Sequence, residues 1–208
     1  MVKNCQMTER PPIIGLTGGI GSGKSAVANL LKANGCIVAD ADENSRKVLA
    51  TEHVQQQLVA WWGQQVLDDA GEVDRSFIAS IVFSDTEERK RLESLVHPLV
   101  GSLQEAAFAS ADSETSALVI DAPLLMEAGL HETCDAVIFV DSDFKTRLKR
   151  VMTTRGWDEE QLRNREATQL GLDTKRTSAD HIIINDGDLA HIEQQVRSVL
   201  SLIRNSIR

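Results

Sequence analysis

GGIGSGKS, at residues 18–25, is the stretch of this sequence that decides the fold. It matches the pattern GxxxxGK[ST], it follows an apolar run at residues 13–17 that predicts a buried strand, and it opens a predicted helix at Lys24. Glycines let backbone N–H groups turn inward around a phosphate, and the amino terminus of the helix adds a favourable dipole. The sequence therefore predicts a phosphate-binding P-loop between a strand and a helix.

Two side chains of this loop have predicted contacts. Lys24 should reach the β- and γ-phosphates of a nucleotide, and the Ser25 hydroxyl should bind Mg²⁺. The alternative, an ordinary glycine-rich turn, leaves the flanking strand and helix unexplained. The predicted nucleotide-binding residues are Gly19, Ile20, Gly21, Ser22, Gly23, Lys24, Ser25 and Ala26.

The chain continues as a βαβ unit, which predicts a parallel sheet. The helical spacing after Lys24 stops at an Asn-Gly pair, and a second apolar strand at residues 36–39 runs into Asp40 and Asp42. Ligands of such sheets bind at the carboxyl ends of the strands. Both carboxylates are therefore candidates for a catalytic base, and Asp42, beyond the strand, is the freer of the two. The spacing equally allows a helix N-cap there.

Apolar runs predict the rest of the sheet. Three further strands are expected, at residues 117–121, 136–141 and 181–185. A carboxylate at the end of the first of these, Asp121, is a candidate to bind Mg²⁺ through water, or else a surface turn residue before Pro123. A final helix from Leu189 should pack on the sheet through one apolar face, formed by Ile192, Val196, Val199, Leu200 and Ile203.

Residues 43–115 predict an insertion of helices. One helix is expected at residues 54–62, and a longer one is expected to open with a capping box of Ser84 and Glu87. His97 precedes a proline within the longer helix and is as compatible with a packed histidine in a kinked helix as with substrate contact. The tryptophan pair at residues 61 and 62 is assigned to the core and not to base stacking.

In the second half of the chain, most of the lysines and arginines lie at residues 144–178. Phosphoryl transfer is catalysed mainly by positioning and electrostatics, so some of these arginines should neutralise the transferring group. A solvated basic helix face is the alternative for each of them, and spacing does not identify the catalytic ones.

Composition excludes several classes of function. The formal charge of −9 disfavours nucleic acid and anionic membrane surfaces as partners. The three cysteines, Cys5, Cys36 and Cys134, lack the spacing of zinc ligands and are expected to be reduced. The amino-terminal residues lack the apolar region of a signal peptide, and no apolar stretch reaches the roughly 18 residues of a membrane helix, so a cytoplasmic protein is predicted.

From residue 13 to the last helix, the sequence resembles the dephospho-coenzyme A kinase family. The landmarks occur in the family's order and at similar spacing: LTGGIGSGKS at 16–25, Asp40-Ala-Asp42, Asp74-Arg75, His97-Pro98, PLLME at 123–127, Leu148-Lys-Arg150, Ala179-Asp180 and Asn185. The resemblance implies an ATP-dependent phosphotransferase that uses Mg²⁺ and phosphorylates the ribose 3′-hydroxyl of dephospho-CoA, the last step of coenzyme A biosynthesis.

The resemblance also implies an α/β fold of three parts. These are a three-layer αβα nucleotide-binding core of the P-loop NTPase type with a five-stranded parallel sheet, a helical acceptor domain and a helical lid. An amino-terminal tail, residues 1–11, has no counterpart in shorter members. The expected boundaries are residues 12–50, 116–143 and 179–208 for the core, 51–115 for the acceptor domain and 144–178 for the lid.

Roles of individual residues follow from the same resemblance. Asp42 becomes the base that receives the proton of the acceptor hydroxyl, and Arg150 becomes an arginine at the lid hinge that faces the phosphates. The residues expected to line or shape the acceptor side are Arg75, His97, Pro98, Leu124, Leu125 and Glu127. Arg147 stands where the family usually has glutamine, and Met126 where an aromatic residue is common, so neither is given a role.

Three rival functions remain to be separated. Another small-molecule kinase, such as a nucleoside monophosphate kinase, would share the P-loop and the lid but not the Asp40-Ala-Asp42 and His97-Pro98 landmarks. A GTP-dependent switch would need a guanine signature of the type Asn-Lys-x-Asp, which is not found in the sequence. A P-loop protein that binds nucleotide but has lost activity is the third rival, and the intact Lys24, Ser25 and Asp42 argue against it. The sequence leaves the oligomeric state open.

Overall fold

The structure, a computed structural model, describes residues 10–206. Cys5 and most of the predicted tail at residues 1–11 lie outside this range. The chain divides into two compact units, one made of the residues up to Ala39 together with those from Ser110, and the other of Asp40–Ala109. No helix of the described residues is both long and apolar enough to cross a membrane.

The first unit contains the sheet. Its strands are β1 (Ile13–Gly18), β2 (Cys36–Asp40), β3 (Ala117–Asp121), β4 (Ala136–Asp141) and β5 (His181–Ile184). They form one five-stranded parallel sheet in the order β2-β3-β1-β4-β5. The register places Leu16 opposite Asp121 on one side and opposite Ile138 on the other. The P-loop strand β1 is therefore central, and the predicted strands are confirmed.

Helices of the first unit lie between and after these strands. They are α1 (Lys24–Ala33), α6 (Phe144–Arg155), α7 (Glu159–Glu166), α8 (Leu172–Thr177) and α9 (Leu189–Ser206), with a 3₁₀ turn at Leu130–Thr133. The apolar face predicted for the last helix is confirmed, because all five of its residues are buried in α9. The predicted stop of α1 is also confirmed, since Gly35 follows it with a φ of +82°.

Alternation along β1 places the sheet between two layers. Successive strand residues point to opposite faces. Ile14 and Leu16 are fully buried in a cluster with α1 and α9. Thr17, on the other face, donates a hydrogen bond of 3.1 Å from Oγ1 to the carbonyl of Pro123, which follows β3. The face away from α1 and α9 is thus the one next to the turn after β3.

The second unit is helical, as predicted. Its helices are α2 (Ala41–Leu49), α3 (Glu52–Trp62), α4 (Arg75–Ser84) and α5 (Thr86–Phe108), with a 3₁₀ turn at Gln64–Val66. Its own apolar cluster includes Val54, Leu58 and Ile78, and the two tryptophans pack against it, as predicted.

The predicted capping box at Ser84 is wrong. Ser84 is the last residue of α4, and its hydroxyl donates to the carbonyls of Ser80 and Ile81. The cap of α5 is Asp85, whose carboxylate accepts from the backbone N–H groups of Glu87 and Glu88. The Asp85 carboxylate, one residue further along, accepts from the unpaired amides of the first turn, and the spacing of Ser84 and Glu87 does not exclude this later cap.

Candidate active site

The P-loop forms between β1 and α1 with two glycines in the left-handed region. Gly21 has a φ of +77° and Gly23, the N-cap of α1, a φ of +82°. Side chains rarely adopt this conformation, and a Cβ at Gly23 would also overlap the amide of Asn185. The Ser22 N–H donates to the Gly19 carbonyl over 3.0 Å, which closes the turn. The predicted loop is therefore present, and its glycines are required at these positions.

Lys24 and Asp121 form an ion pair at the end of β3. The distance from Lys24 Nζ to Asp121 Oδ1 is 2.5 Å, and the side chains are 16% and 4% exposed. The alternative of a surface turn residue for Asp121 is thus wrong, because this carboxylate is buried. Ser25, in contrast, lies exposed in the first turn of α1. A hydroxyl and a carboxylate supply the oxygen ligands that Mg²⁺ prefers, so these residues fit the ion.

Arg150 and Asn185 contact the P-loop through its carbonyl groups. The Arg150 guanidinium donates through Nη1 to the carbonyls of Gly21 and Ser22 over 3.2 and 3.0 Å, and through Nη2 to the Asn185 carbonyl over 2.8 Å. The Asn185 amide donates to the Ser22 carbonyl over 2.7 Å. Both residues were landmarks of the family resemblance, and both lie against the loop.

Arg147 is a contact residue to which the sequence gave no role. Its side chain is buried, and its guanidinium donates to the carbonyls of Ser142 and Ile20 over 3.1 and 3.3 Å. It also forms an ion pair with Glu166 of α7. Because the partner lies far along the chain, helical spacing in the basic segment carried no signal for this pair.

Lys175 is a second residue that sequence reasoning missed. It is fully buried in α8, where Nζ donates to Glu127 Oε1 over 2.7 Å and to the Pro123 carbonyl over 2.9 Å. Partial burial alone would raise the pKa of Glu127, but the hydrogen bonds from Lys175 and from the Leu170 N–H bring it below its ordinary value. The turn after β3 is thus tied to α8. Leu124, in the same turn, is 45% exposed.

Several arginines of the predicted lid form cation–π contacts with aromatic rings. Phe144 lies against the guanidinium groups of Arg147 and Arg163, whose central carbons are 5.5 and 4.3 Å from the ring centroid. Trp157 lies in the same way against Arg155 and Arg165, at 4.7 and 4.2 Å. Such cation–π contacts orient a guanidinium without neutralising it. The basic segment is therefore more ordered than a simple solvated helix face.

The acceptor-side residues lie in the second unit, apart from those at 124–127. Asp42 is exposed in the first turn of α2, and the N-cap is Asp40, whose Oδ1 accepts from the Glu43 N–H over 2.8 Å. The N-cap alternative for Asp42 is therefore wrong. Arg75 is the exposed first residue of α4.

Pro98 lies inside α5, as expected. His97 beside it is exposed, so the interpretation as a packed histidine is wrong.

The family model and the sequence relatives indicate the same family. The family model described as Dephospho-CoA kinase matches residues 12–191. A dephospho-CoA kinase of Thermobifida fusca is 41% identical over 187 residues, which are 89% of this chain and 93% of that protein. The crystal structure of TT1252 from Thermus thermophilus is 33% identical, with a TM-score of 0.81 over 93% of this chain and 98% of that one. Dephospho-CoA kinase from Campylobacter jejuni is 25% identical, with a TM-score of 0.65 over 94% and 98%.

Proposed function

Because this chain belongs to the dephospho-CoA kinase family, we propose that it transfers the γ-phosphoryl group of ATP to the ribose 3′-hydroxyl of dephospho-CoA and releases ADP and coenzyme A. The family match over residues 12–191 is the observation that carries the proposal. The P-loop, with Lys24 paired to Asp121 at the end of β3, supports it independently as a site for a nucleoside triphosphate.

The first unit binds the nucleotide in this proposal. Backbone N–H groups of the segment from Gly19 to Ala26 surround the phosphates, apart from those of Ser22 and Ala26, which donate to carbonyls within the loop. Lys24 exchanges the Asp121 carboxylate for the β- and γ-phosphates. Ser25 and, through water, Asp121 would hold Mg²⁺. When bound, the ion would neutralise charge on the β- and γ-phosphate oxygens.

Arg150 supplies positive charge at the same place. Its guanidinium already lies against the P-loop carbonyls of Gly21 and Ser22. In the proposal the guanidinium leaves these carbonyls when ATP binds and stabilises negative charge on the transferring phosphoryl group, which is how most catalysis of this reaction arises. Residues 144–178 act as the lid, which excludes water as a competing acceptor.

The segment 51–115 and the turn after β3 bind the acceptor. Asp42 receives the proton of the 3′-hydroxyl as that oxygen attacks the γ-phosphorus in line with the leaving ADP. The Asp42 carboxylate is exposed and does not cap α2, so it is available to accept this proton. The residues proposed to line or shape the acceptor side are Arg75, His97, Pro98, Leu124 and Glu127.

ATP and dephospho-CoA are the proposed partners of the chain, and the cytoplasm its compartment. The formal charge of −9 disfavours nucleic acid and anionic membranes, and Cys36 and Cys134 are free thiols. Burial raises the pKa of both thiols to about 11, so they are poor nucleophiles at neutral pH.

The test is ADP release by the purified chain with MgATP and one acceptor at a time. Dephospho-CoA should stimulate release, while AMP and adenosine should leave it near the rate without an acceptor. Stimulation by AMP alone would establish a nucleotide kinase instead. Calorimetry with ATP and GTP would separate a GTP-dependent switch from either kinase.

A further inference from the structure

Arg147 connects the P-loop to a helix of the predicted lid. Its guanidinium donates to the Ile20 carbonyl within the loop and to the Ser142 carbonyl before α6, and it pairs with Glu166 at the end of α7. The side chains of the pair are 7% and 18% exposed. Three segments of the first unit therefore meet at one buried charge.

The contact with Ile20 sets the direction of one peptide group. In a trans peptide the C=O and the following N–H point in opposite directions, so a donor on the Ile20 carbonyl turns the Gly21 N–H to the other side. The other side is the one from which N–H groups of a P-loop contact phosphate.

Close packing supports the same conclusion about Gly21. A Cβ at this glycine would lie 2.8 Å from the carbonyl oxygen of Arg147 and 3.0 Å from Val151 Cγ1. The loop thus rests directly on α6 at the position where Arg147 holds it. A shift of the Arg147 side chain would free a peptide group that has the flexibility of a glycine, Gly21, on one side.

Glu166 neutralises the Arg147 guanidinium, so this arginine can support the P-loop without binding the phosphate itself. A buried guanidinium needs a partner, and the carboxylate neutralises it on the side facing α7. The Phe144 ring covers a further part of the group, 5.5 Å from its central carbon. Arg147 is therefore fixed from several directions, which suits a rigid support for the loop.

We propose that Arg147, held by Glu166, is a positioning residue that presets the Ile20–Gly21 peptide group for the phosphates of ATP. The inference rests on the proposed function, since it assigns the P-loop to ATP. Its effect belongs to nucleotide binding and not to the transfer step, because the same N–H contact is made before and during transfer.

Two variants test the proposal. Arg147→Gln removes the ion pair and leaves the Glu166 carboxylate without its partner. Glu166→Gln keeps an oxygen acceptor for Arg147 but removes the charge. We expect Arg147→Gln to raise the KM and the calorimetric Kd for MgATP about tenfold, and Glu166→Gln about threefold. For both, kcat at saturating MgATP and the KM for dephospho-CoA should stay within about twofold of the wild type.

The matched control is Arg197→Gln, which breaks an exposed i,i+4 ion pair with Glu193 on α9. It should leave all constants unchanged.

The outcomes separate the inference from the proposed function. If the wild-type chain does not phosphorylate dephospho-CoA, the proposed function fails, and MgATP binding by calorimetry still decides the role of Arg147. A lower melting temperature with unchanged MgATP affinity would make the pair merely structural and overturn the inference. Loss of kcat at unchanged MgATP affinity would also overturn it. Should Arg147→Gln not fold, Glu166→Gln decides by the same criteria.

Discussion

At the residue scale, the acceptor side of the proposed mechanism depends on Asp42. From spacing, this carboxylate was as compatible with an N-cap as with a catalytic base. The structure gives the cap to Asp40 and leaves Asp42 exposed in the same first turn. Sequence alone could not make this choice, because an N-cap is defined by the backbone angle at which the helix begins.

Substitution of Asp42 by asparagine tests the base directly. We expect Asp42→Asn to lower kcat by about 10²-fold or more while the Kd for MgATP is unchanged, since only the proton acceptor is lost. Asp40→Asn is the matched control, because asparagine caps helices as well as aspartate does. It should keep turnover close to that of the wild type. An unchanged kcat in Asp42→Asn would remove this residue from the mechanism.

Arg147 shows why part of the site was beyond sequence reasoning. The P-loop could be predicted because its residues are contiguous and their spacing has one physical meaning. The partners of Arg147 lie in α7 and in the loop, far away in sequence. A single arginine within a basic helix carries no local sign of such a contact.

At the element scale, the strands were predictable and one helix start was not. Each strand is a short apolar run that contributes buried residues to the sheet, and each run stands out from its polar neighbours. The start of α5 was misjudged by one residue because Ser84 and Asp85 are both good caps. Lys175 of α8 was missed because a buried lysine in a basic segment looks like a solvated one.

The tie between α8 and the turn after β3 should contribute to stability. Glu127→Gln would leave the buried Lys175 ammonium without its carboxylate, and breaking a buried pair at one partner costs about 3–5 kcal/mol. Since Glu127 is partly exposed, we expect about 3 kcal/mol less free energy of unfolding at neutral pH, measured by urea denaturation. Glu159→Gln is the control, because its pair with Arg163 is exposed and should contribute little.

The pH dependence of the same experiment follows from the lowered pKa of Glu127. A carboxylate whose pKa is lower in the folded state stabilises the fold fully above its ordinary value, 4.5, and loses this effect as the pH falls through the folded pKa. The difference between wild type and Glu127→Gln should therefore be constant near neutral pH and shrink below about pH 4.5. A difference that grew on acidification would contradict the assigned ion pair.

At the scale of the whole molecule, residues 10–206 contain two apolar clusters, one in each compact unit. The sequence predicted a helical insertion into a parallel α/β core, because the apolar β runs stop after residue 39 and resume at 117. The functional division into core, acceptor domain and lid stays a prediction, since it concerns which residues bind which substrate. The two compact units are defined by contacts between residues, and such contacts do not identify the residues that bind each substrate.

The position of the new phosphate is the measurement that tests the central claim most directly. The chain would be incubated with MgATP and dephospho-CoA, and the purified product examined by mass spectrometry and by phosphorus–proton correlated NMR. We expect one phosphate on the ribose 3′-hydroxyl and one ADP for each coenzyme A formed. A phosphate on another hydroxyl, or ADP accompanied only by inorganic phosphate, would contradict the account.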